Sequence, residues 1–173
     1  MTSFIIKAHE GRELPDSWKQ DPDCPFCRII RGESPAFRVY EDDRIVAVLD
    51  ILPLRRGHTL VIPKTHYKRV SELPPDFAAA TGAAISHIAN ALTKALDNTG
   101  LNIVCNQEYA QAVPHVHYHI IPAPSFDSKV VEQPDHVTLP LTQKEMFKAE
   151  FESRNELDED DAQALVSRIR ARL

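Results

Sequence analysis

The sequence has no run of about 18 or more uncharged apolar residues, so nothing in it reads as a membrane span. It lacks a surplus of positive charge. Lys and Arg number 20 against 25 Asp and Glu, a net charge of −5, which speaks against non-specific nucleic-acid binding, because phosphate neutralisation needs excess cations. Cysteine is scarce. Three residues cannot build a disulfide framework, and two of them form Cys24-x-x-Cys27, a spacing that points to thiol chemistry or metal binding in a reducing compartment. The first residues carry acids early and no long apolar stretch, so neither a signal nor a transit peptide is expected. The expected location is the cytoplasm, or cytoplasm and nucleus together. Internal repeats and low-complexity tracts are also missing. What is present, 43% hydrophobic and 26% charged residues over 173 positions, suffices for one domain with a real core.

Three regions are expected: an N-terminal arm over 1–23, a compact unit over 24–126 and a helical extension over 127–173. The arm is polar and offers Phe4, Ile5 and Trp18 as docking residues. Short Val/Ile-rich runs at 37–40 and 44–49 flank the acidic Glu41-Asp42-Asp43 and read as a hairpin. Residues 58–63 read as a third strand ended by Pro63. Pro74-Pro75-Asp76 opens a long helix, in which Phe77, Ala80, Ala84, Ile85, Ile88, Ala89, Leu92 and Leu96 recur at helical spacing. Gly100 stands where a C′ glycine would end it. Strands four and five are expected at 101–106 and 113–121. In the extension, Pro134 and Pro140 mark a linker. Thr142 is a candidate cap for a helix carrying Met146, Phe147 and Phe151. Asp158 is a candidate cap for a second helix with the apolar stripe Leu165, Val166, Ile169 and Leu173. The order β-β-β-α-β-β gives an α+β fold, a mostly antiparallel sheet of about five strands with one long helix.

Five of the eight histidines fall within 58–66 and 115–119. As a strand, the second segment would place His115, His117 and His119 on one face, about 6.6 Å apart per step. Burying three neighbouring imidazoles for packing alone demands partners for every ring nitrogen. Such a row can bind a metal or handle phosphate. A neutral His is a good nucleophile toward phosphorus, and a charged neighbour stabilises the non-bridging oxygens. The cysteine pair has the spacing of half a tetrahedral zinc site, and spacing alone does not choose the other ligands. A pair of ordinary buried or redox thiols is the plain alternative. A zinc-finger DNA reader is not expected, because Cys27 and His66 are far more widely separated than the ~12-residue finger spacing. Arg55, Arg56, Lys64, Lys68 and Arg69 form a basic run near His58 that could steer a polyanion. Cys105 reads as a small core residue, and His9, His87 and His136 as surface histidines.

His115-Val-His117-Tyr-His119-Ile-Ile resembles the signature of the histidine triad (HIT) superfamily of nucleotide hydrolases and transferases. The likeness extends to Cys24-Pro-Phe-Cys-Arg-Ile-Ile, Val39-Tyr40-Glu-Asp-Asp, Leu49-Asp50-Ile51 and Gly57-His58-Thr-Leu-Val-Ile-Pro-Lys-Thr-His66, in order, and covers about 24–124. It is strongest for the Hint-like nucleoside phosphoramidase branch in its zinc-carrying form. The resemblance implies His117 as nucleophile toward the α-phosphate of a purine nucleotide adduct, most simply an AMP phosphoramidate, through a nucleotidyl-histidine intermediate. It implies His119 on the phosphate or leaving group and His58 as a fourth histidine of the cluster. Asp50 would bind the ribose, Ile51 would line the nucleoside pocket, and Asn106 and Gln111 would lie on the phosphate side. Zinc would be structural, held by Cys24, Cys27, His66 and His115, and the assembly a homodimer joined through the long helix and a sheet edge. A diadenosine polyphosphate hydrolase, or a nucleotide-binding protein with weak catalysis, are the alternatives. The segment 107–114 departs from the family pattern. It has no glycine, is about two residues short, and places Ala112 where a hydroxyl is usual. One lost transition-state donor costs about 10²-fold in rate.

Overall fold

The computed structural model describes residues 13–123 and 156–173. Along the chain lie helix α1 (Pro25–Ile30), strands β1 (Arg38–Glu41), β2 (Ile45–Leu49) and β3 (Thr59–Pro63), a 3-10 turn (Val70–Glu72), helix α2 (Pro75–Leu96), strands β4 (Leu101–Cys105) and β5 (Tyr118–Pro122), and helix α3 (Glu159–Arg170). The strands form one antiparallel sheet in the order β1-β2-β3-β5-β4. The α+β expectation holds, with α1 as an unforeseen addition. Six residues are too few for helical periodicity to show. Pro25 in the first turn needs no backbone N–H partner.

Every residue of β2 and β3 is buried, because both faces of the sheet are covered. Side chains alternate sides. Ile45, Ala47, Leu49, Val61 and Ile120 meet Ala84, Ile88, Ala91, Leu92 and Ala95 of α2. Val46, Val48, Leu60 and Ile62 face the opposite way, onto Phe26, Cys27 and Ile30 of α1.

Two expected boundaries move. Helix α2 ends not at Gly100 but at Asp97, whose left-handed φ of 53° forms the C-cap. Gly100 instead begins the approach to β4, where a Cβ would lie 2.8 Å from that of Ala123. The fifth strand does not begin at Val113. Pro114 has no N–H to give to a ladder, His115 N donates to Val113 O at 2.8 Å, and Val116 N donates to Tyr67 O at 2.7 Å. Pairing therefore starts only at Tyr118.

Asp158 caps α3 by accepting from Asp161 N at 2.9 Å, and three acidic residues fill the first turn. This helix is no appendage. Ala162, Leu165, Val166 and Ile169 enter the same core as α2. At the other end, Trp18 meets Phe77 edge-on at 4.9 Å, and Lys19 O accepts from His66 N at 2.7 Å. Phe4, Ile5, the helix expected around Met146 to Phe151, the linker prolines, His9 and His136 lie outside the described residues. His87 is exposed. No helix among the described residues is long and apolar enough to cross a membrane.

Ile169 is fully buried. Ile169→Ala should cost about 3 kcal/mol in urea unfolding, whereas a loosely attached helix would give a change under about 0.5 kcal/mol.

Candidate active site and metal cluster

The face of the sheet that carries Val48 and Leu60 also carries the histidines. Val48 pairs with Leu60, Leu60 with His119, and His119 with Val104, which makes one row across four strands. Asp50 follows β2 and continues the ladder by donating its N–H to His58 O at 2.9 Å. Between Asp50 and His58 the chain turns through Gly57 (φ 89°), where a Cβ would sit 2.8 Å from Leu96 Cδ1. Only glycine meets both demands.

The hydrogen bonds fix complementary protonation on the rings, as assigned from donor and acceptor type. Leu54 N donates to His58 Nδ1 at 3.1 Å, so that nitrogen carries a lone pair. His58 Nε2 then holds the proton and donates to His119 Nδ1 at 2.9 Å. His119 is left with its proton on Nε2. His117 is set the other way. Its Nδ1 lies 2.6 Å from His115 O, and a carbonyl only accepts, so His117 keeps its lone pair on Nε2. Burial pushes the His117 pKa below the ordinary imidazole range, keeping the ring neutral. The His117 and His119 rings are 4.9 Å apart, and both line a cavity of about 960 Å³.

Asp50 lines that cavity, with Oδ1 accepting from Leu52 N at 2.9 Å and Oδ2 3.4 Å from His58 Nδ1. Ile51, 66% exposed, stands at the mouth. Asn106 lines the cavity one residue beyond β4. Gln111 lines it too, but both ends of its amide brace the loop: Nε2 donates to Lys68 O and Oε1 accepts from Glu108 N, each at 2.9 Å. Ala112 presents no hydroxyl here. Glu108 and Ala110 adopt φ of 62° and 54°, conformations that elsewhere favour glycine. The apolar wall of Phe26, Ile29, Pro35 and Ala36 was not identified from the sequence. Its signal was the Pro-Phe within the cysteine motif.

The basic run does not act as one patch. Lys64 is buried against Glu41 at 2.8 Å, and Glu41 also holds Arg38. Arg56 forms a two-pronged pair with Asp161. Arg69 binds Glu108 and Glu72. Of the five cations, only Arg55 lines the cavity.

His115 belongs elsewhere. Its Nδ1 is 3.5 Å from Cys24 Sγ and 3.6 Å from Cys27 Sγ, and His66 Nδ1 is 3.4 Å from Cys27 Sγ. All four residues are buried, and their ligand atoms lie within 4.8 Å of one another. His115 Nε2 donates to Pro63 O at 2.9 Å, which aims Nδ1 inward. The hydrogen bond from Cys27, with His115 close by, holds Cys24 far below the usual thiol range, while Cys27 is pushed up. These four residues could hold a metal ion. A buried dithiol that ionises fully only beside a cation suits that role. Asp50, His58 and His119 also cluster, but both nitrogens of His58 are engaged in hydrogen bonds.

A family model for the HIT domain matches residues 31–126. An Arabidopsis thaliana protein named adenylylsulfatase HINT3 is 46% identical over 102 residues, 58% of this chain and 52% of its own, so the chain spans about half of that relative. Candida albicans adenosine 5′-monophosphoramidase HNT1 is 34% identical over 57% of this chain and 69% of its own. The crystal structure of a zinc-bound histidine triad family protein from Mycobacterium smegmatis superposes with a TM-score of 0.65 at 33% identity, covering 86% of this chain and 94% of that one. With the triad, its fourth histidine and the antiparallel sheet in place, this chain belongs to the HIT domain family.

Proposed function

We propose that the protein is a hydrolase acting at the α-phosphate of purine nucleotide adducts, with AMP phosphoramidates as the simplest substrate. The observation that carries this reading is the opposed protonation of two cavity-lining imidazoles, a lone pair on His117 Nε2 and a proton on His119 Nε2. A nucleophile and an acid side by side suit displacement at phosphorus. His117 Nε2 attacks phosphorus, and the bond to the leaving nitrogen breaks as that nitrogen takes a proton from Nε2 of His119, which acts here as the imidazolium and returns to neutral imidazole. Water then attacks the nucleotidyl-histidine, the P–N bond returns its electron pair to His117, the water proton goes to His119, and AMP departs. His58 positions His119 through the bond between their rings. Asp50 accepts from the ribose hydroxyls, Asn106 donates toward the phosphate, and the base lies against Phe26 and Ile29, with Ile51 at the rim. Gln111 acts indirectly by shaping the loop. The two relatives are named an adenylylsulfatase and an adenosine 5′-monophosphoramidase, which supports adenylyl compounds as the class of substrate.

The cluster of Cys24, Cys27, His66 and His115 is assigned to zinc. With Zn–S near 2.3 Å and Zn–N near 2.05 Å, a tetrahedral S···N edge comes to about 3.6 Å. The structure has 3.4, 3.5 and 3.6 Å. Four protein ligands close the coordination shell, so zinc here supplies folding energy by tying α1 to the sheet. The catalytic unit is residues 24–126, flanked by the arm and the extension. The protein acts as a homodimer in the cytoplasm, with β4 as the edge that a second copy extends, since that strand lies at the sheet margin and exposes Ile103.

His117→Ala should lower kcat on a fluorogenic adenosine phosphoramidate by at least about 10³-fold while AMP affinity stays within about threefold. Retained turnover removes His117 as the nucleophile. Elemental analysis should find about one zinc per chain, and Cys24→Ser should lose the metal and lower Tm by more than about 5 °C. Metal-free protein with an unchanged Tm removes the zinc assignment.

A further inference from the structure

The connection between β2 and β3 carries Asp50 and Ile51 at its start and His58 at its end. Its own bonds shape it. Leu52 N donates to Asp50 Oδ1 and His58 N donates to Arg55 O, each at 2.9 Å. From beyond this hairpin, the hydrogen bonds that reach 51–57 among the described residues come from one place, the start of α3. Leu157 N donates to Ile51 O at 3.2 Å. Arg56 grips both carboxylate oxygens of Asp161, with Nε at 3.0 and 2.9 Å and a terminal nitrogen at 2.7 Å. Asp161 stands on fixed backbone, since its N–H is held by the cap residue Asp158. The helix behind it is locked in the core by Ala162, Leu165 and Ile169, all fully buried. Its far end reaches the opposite wall of the cavity. Arg170 donates to Arg38 O on β1, and the Arg38 guanidinium donates to Ile29 O on α1. Ile51 and Ile29 both line the cavity. One helix outside residues 24–126 is thus bonded to the loop on one side of the pocket and, through Arg38, to the apolar wall on the other.

We propose that Arg56 and Asp161 are positioning residues for nucleoside binding, strapping the C-terminal helix to the loop that presents Asp50 and Ile51. This rests on the assignment of those two residues to the ribose and the nucleoside pocket made above, and it gives the extension a role at that same site. A loop outside the ladder that is ordered only by its ligand takes the cost of ordering out of the affinity. A loop ordered in advance does not. A two-pronged guanidinium–carboxylate pair fixes orientation as well as distance. Being exposed, the pair contributes little to overall stability, and α3 is held by its buried stripe without it. Breaking the pair therefore loosens the loop and leaves the fold. Arg56 does not line the cavity, so it acts through the loop and not as a charge on the phosphate.

The full-length protein is compared with Arg56→Gln, Asp161→Asn, the double variant and Arg56→Lys. Calorimetry measures adenosine, which carries no charge, alongside AMP. Kd for both ligands should rise about threefold to fivefold in each single glutamine or asparagine variant. The double variant should bind no more weakly than either single one, because both remove the same link. Arg56→Lys should recover part of the loss. In the free variants, amide exchange over 50–58 should be faster than in the parent, with α2 unaltered and Tm within about 2 °C. On a fluorogenic adenosine phosphoramidate, KM should rise by the same factor while kcat stays within about twofold. Unchanged adenosine affinity overturns the proposal, even where exchange is faster, and so do losses that add in the double variant. A loss for AMP alone marks Arg56 as a charge acting on the phosphate and also overturns it. A parent protein that binds adenosine but cleaves no phosphoramidate refutes the hydrolase reading, and the affinities of the variants then decide the strap by themselves. A parent protein that binds neither ligand refutes the nucleoside site and the strap together.

Discussion

The backbone of His115 joins two sites that share no side chain. Its imidazole turns toward Cys24 and Cys27, while its carbonyl accepts from His117 Nδ1. That single acceptor decides which nitrogen of His117 keeps a lone pair. The position of the carbonyl is in turn set by the ring, which is pinned at its far nitrogen by Pro63 O, and by Val116 N on Tyr67 O. A disturbance of the sulfur cluster thus reaches the His117 ring through one peptide unit. The cluster around the two cysteines and the cavity-lining pair of His117 and His119 are alternate outcomes of the same short segment, divided where the chain leaves the ladder.

Much of this was legible in the sequence, and the exceptions have physical causes. Twenty-two residues of α2 give many turns over which apolar spacing accumulates, and Asp158 with its acidic followers marked α3. The alternation of His115 to His119 suits a straight strand. It equally suits two bends followed by a strand, and only the missing N–H of Pro114 separates the two. By position Gly100 suits a helix stop, since glycine relieves left-handed strain, yet Asp97 adopts that conformation and the glycine meets a different need, close approach to Ala123. The packing of α3 into the main core could not be read from its stripe, because amphipathicity shows that a face is buried without showing what it meets. The fates of Lys64 and Gln111 depend on partners 23 and 43 positions away.

The segment 107–114, which on the sequence resemblance departs from the family pattern, is held by its own set of contacts. Two non-glycine residues take left-handed backbone, and the loop is tied down by Arg69 on Glu108, Ser71 on Gln107 and Lys68 O on Gln111. Exposed ion pairs contribute little each, but several anchors on one short loop restrict its freedom together. Backbone held in sparse conformations at a cavity is where strain tends to collect in proteins that act on ligands.

Trp18 is the only tryptophan in the chain, and it sits half-buried against Phe77. The next residue, Lys19, is bonded through its carbonyl to the backbone of His66. The indole is therefore a built-in optical probe, whose emission colour and quenching follow the seating of the first segment on the body of the protein, next to the residue that contacts His66 of the sulfur–imidazole cluster. Uptake of the metal proposed for that cluster would be followed in real time with the unlabelled chain.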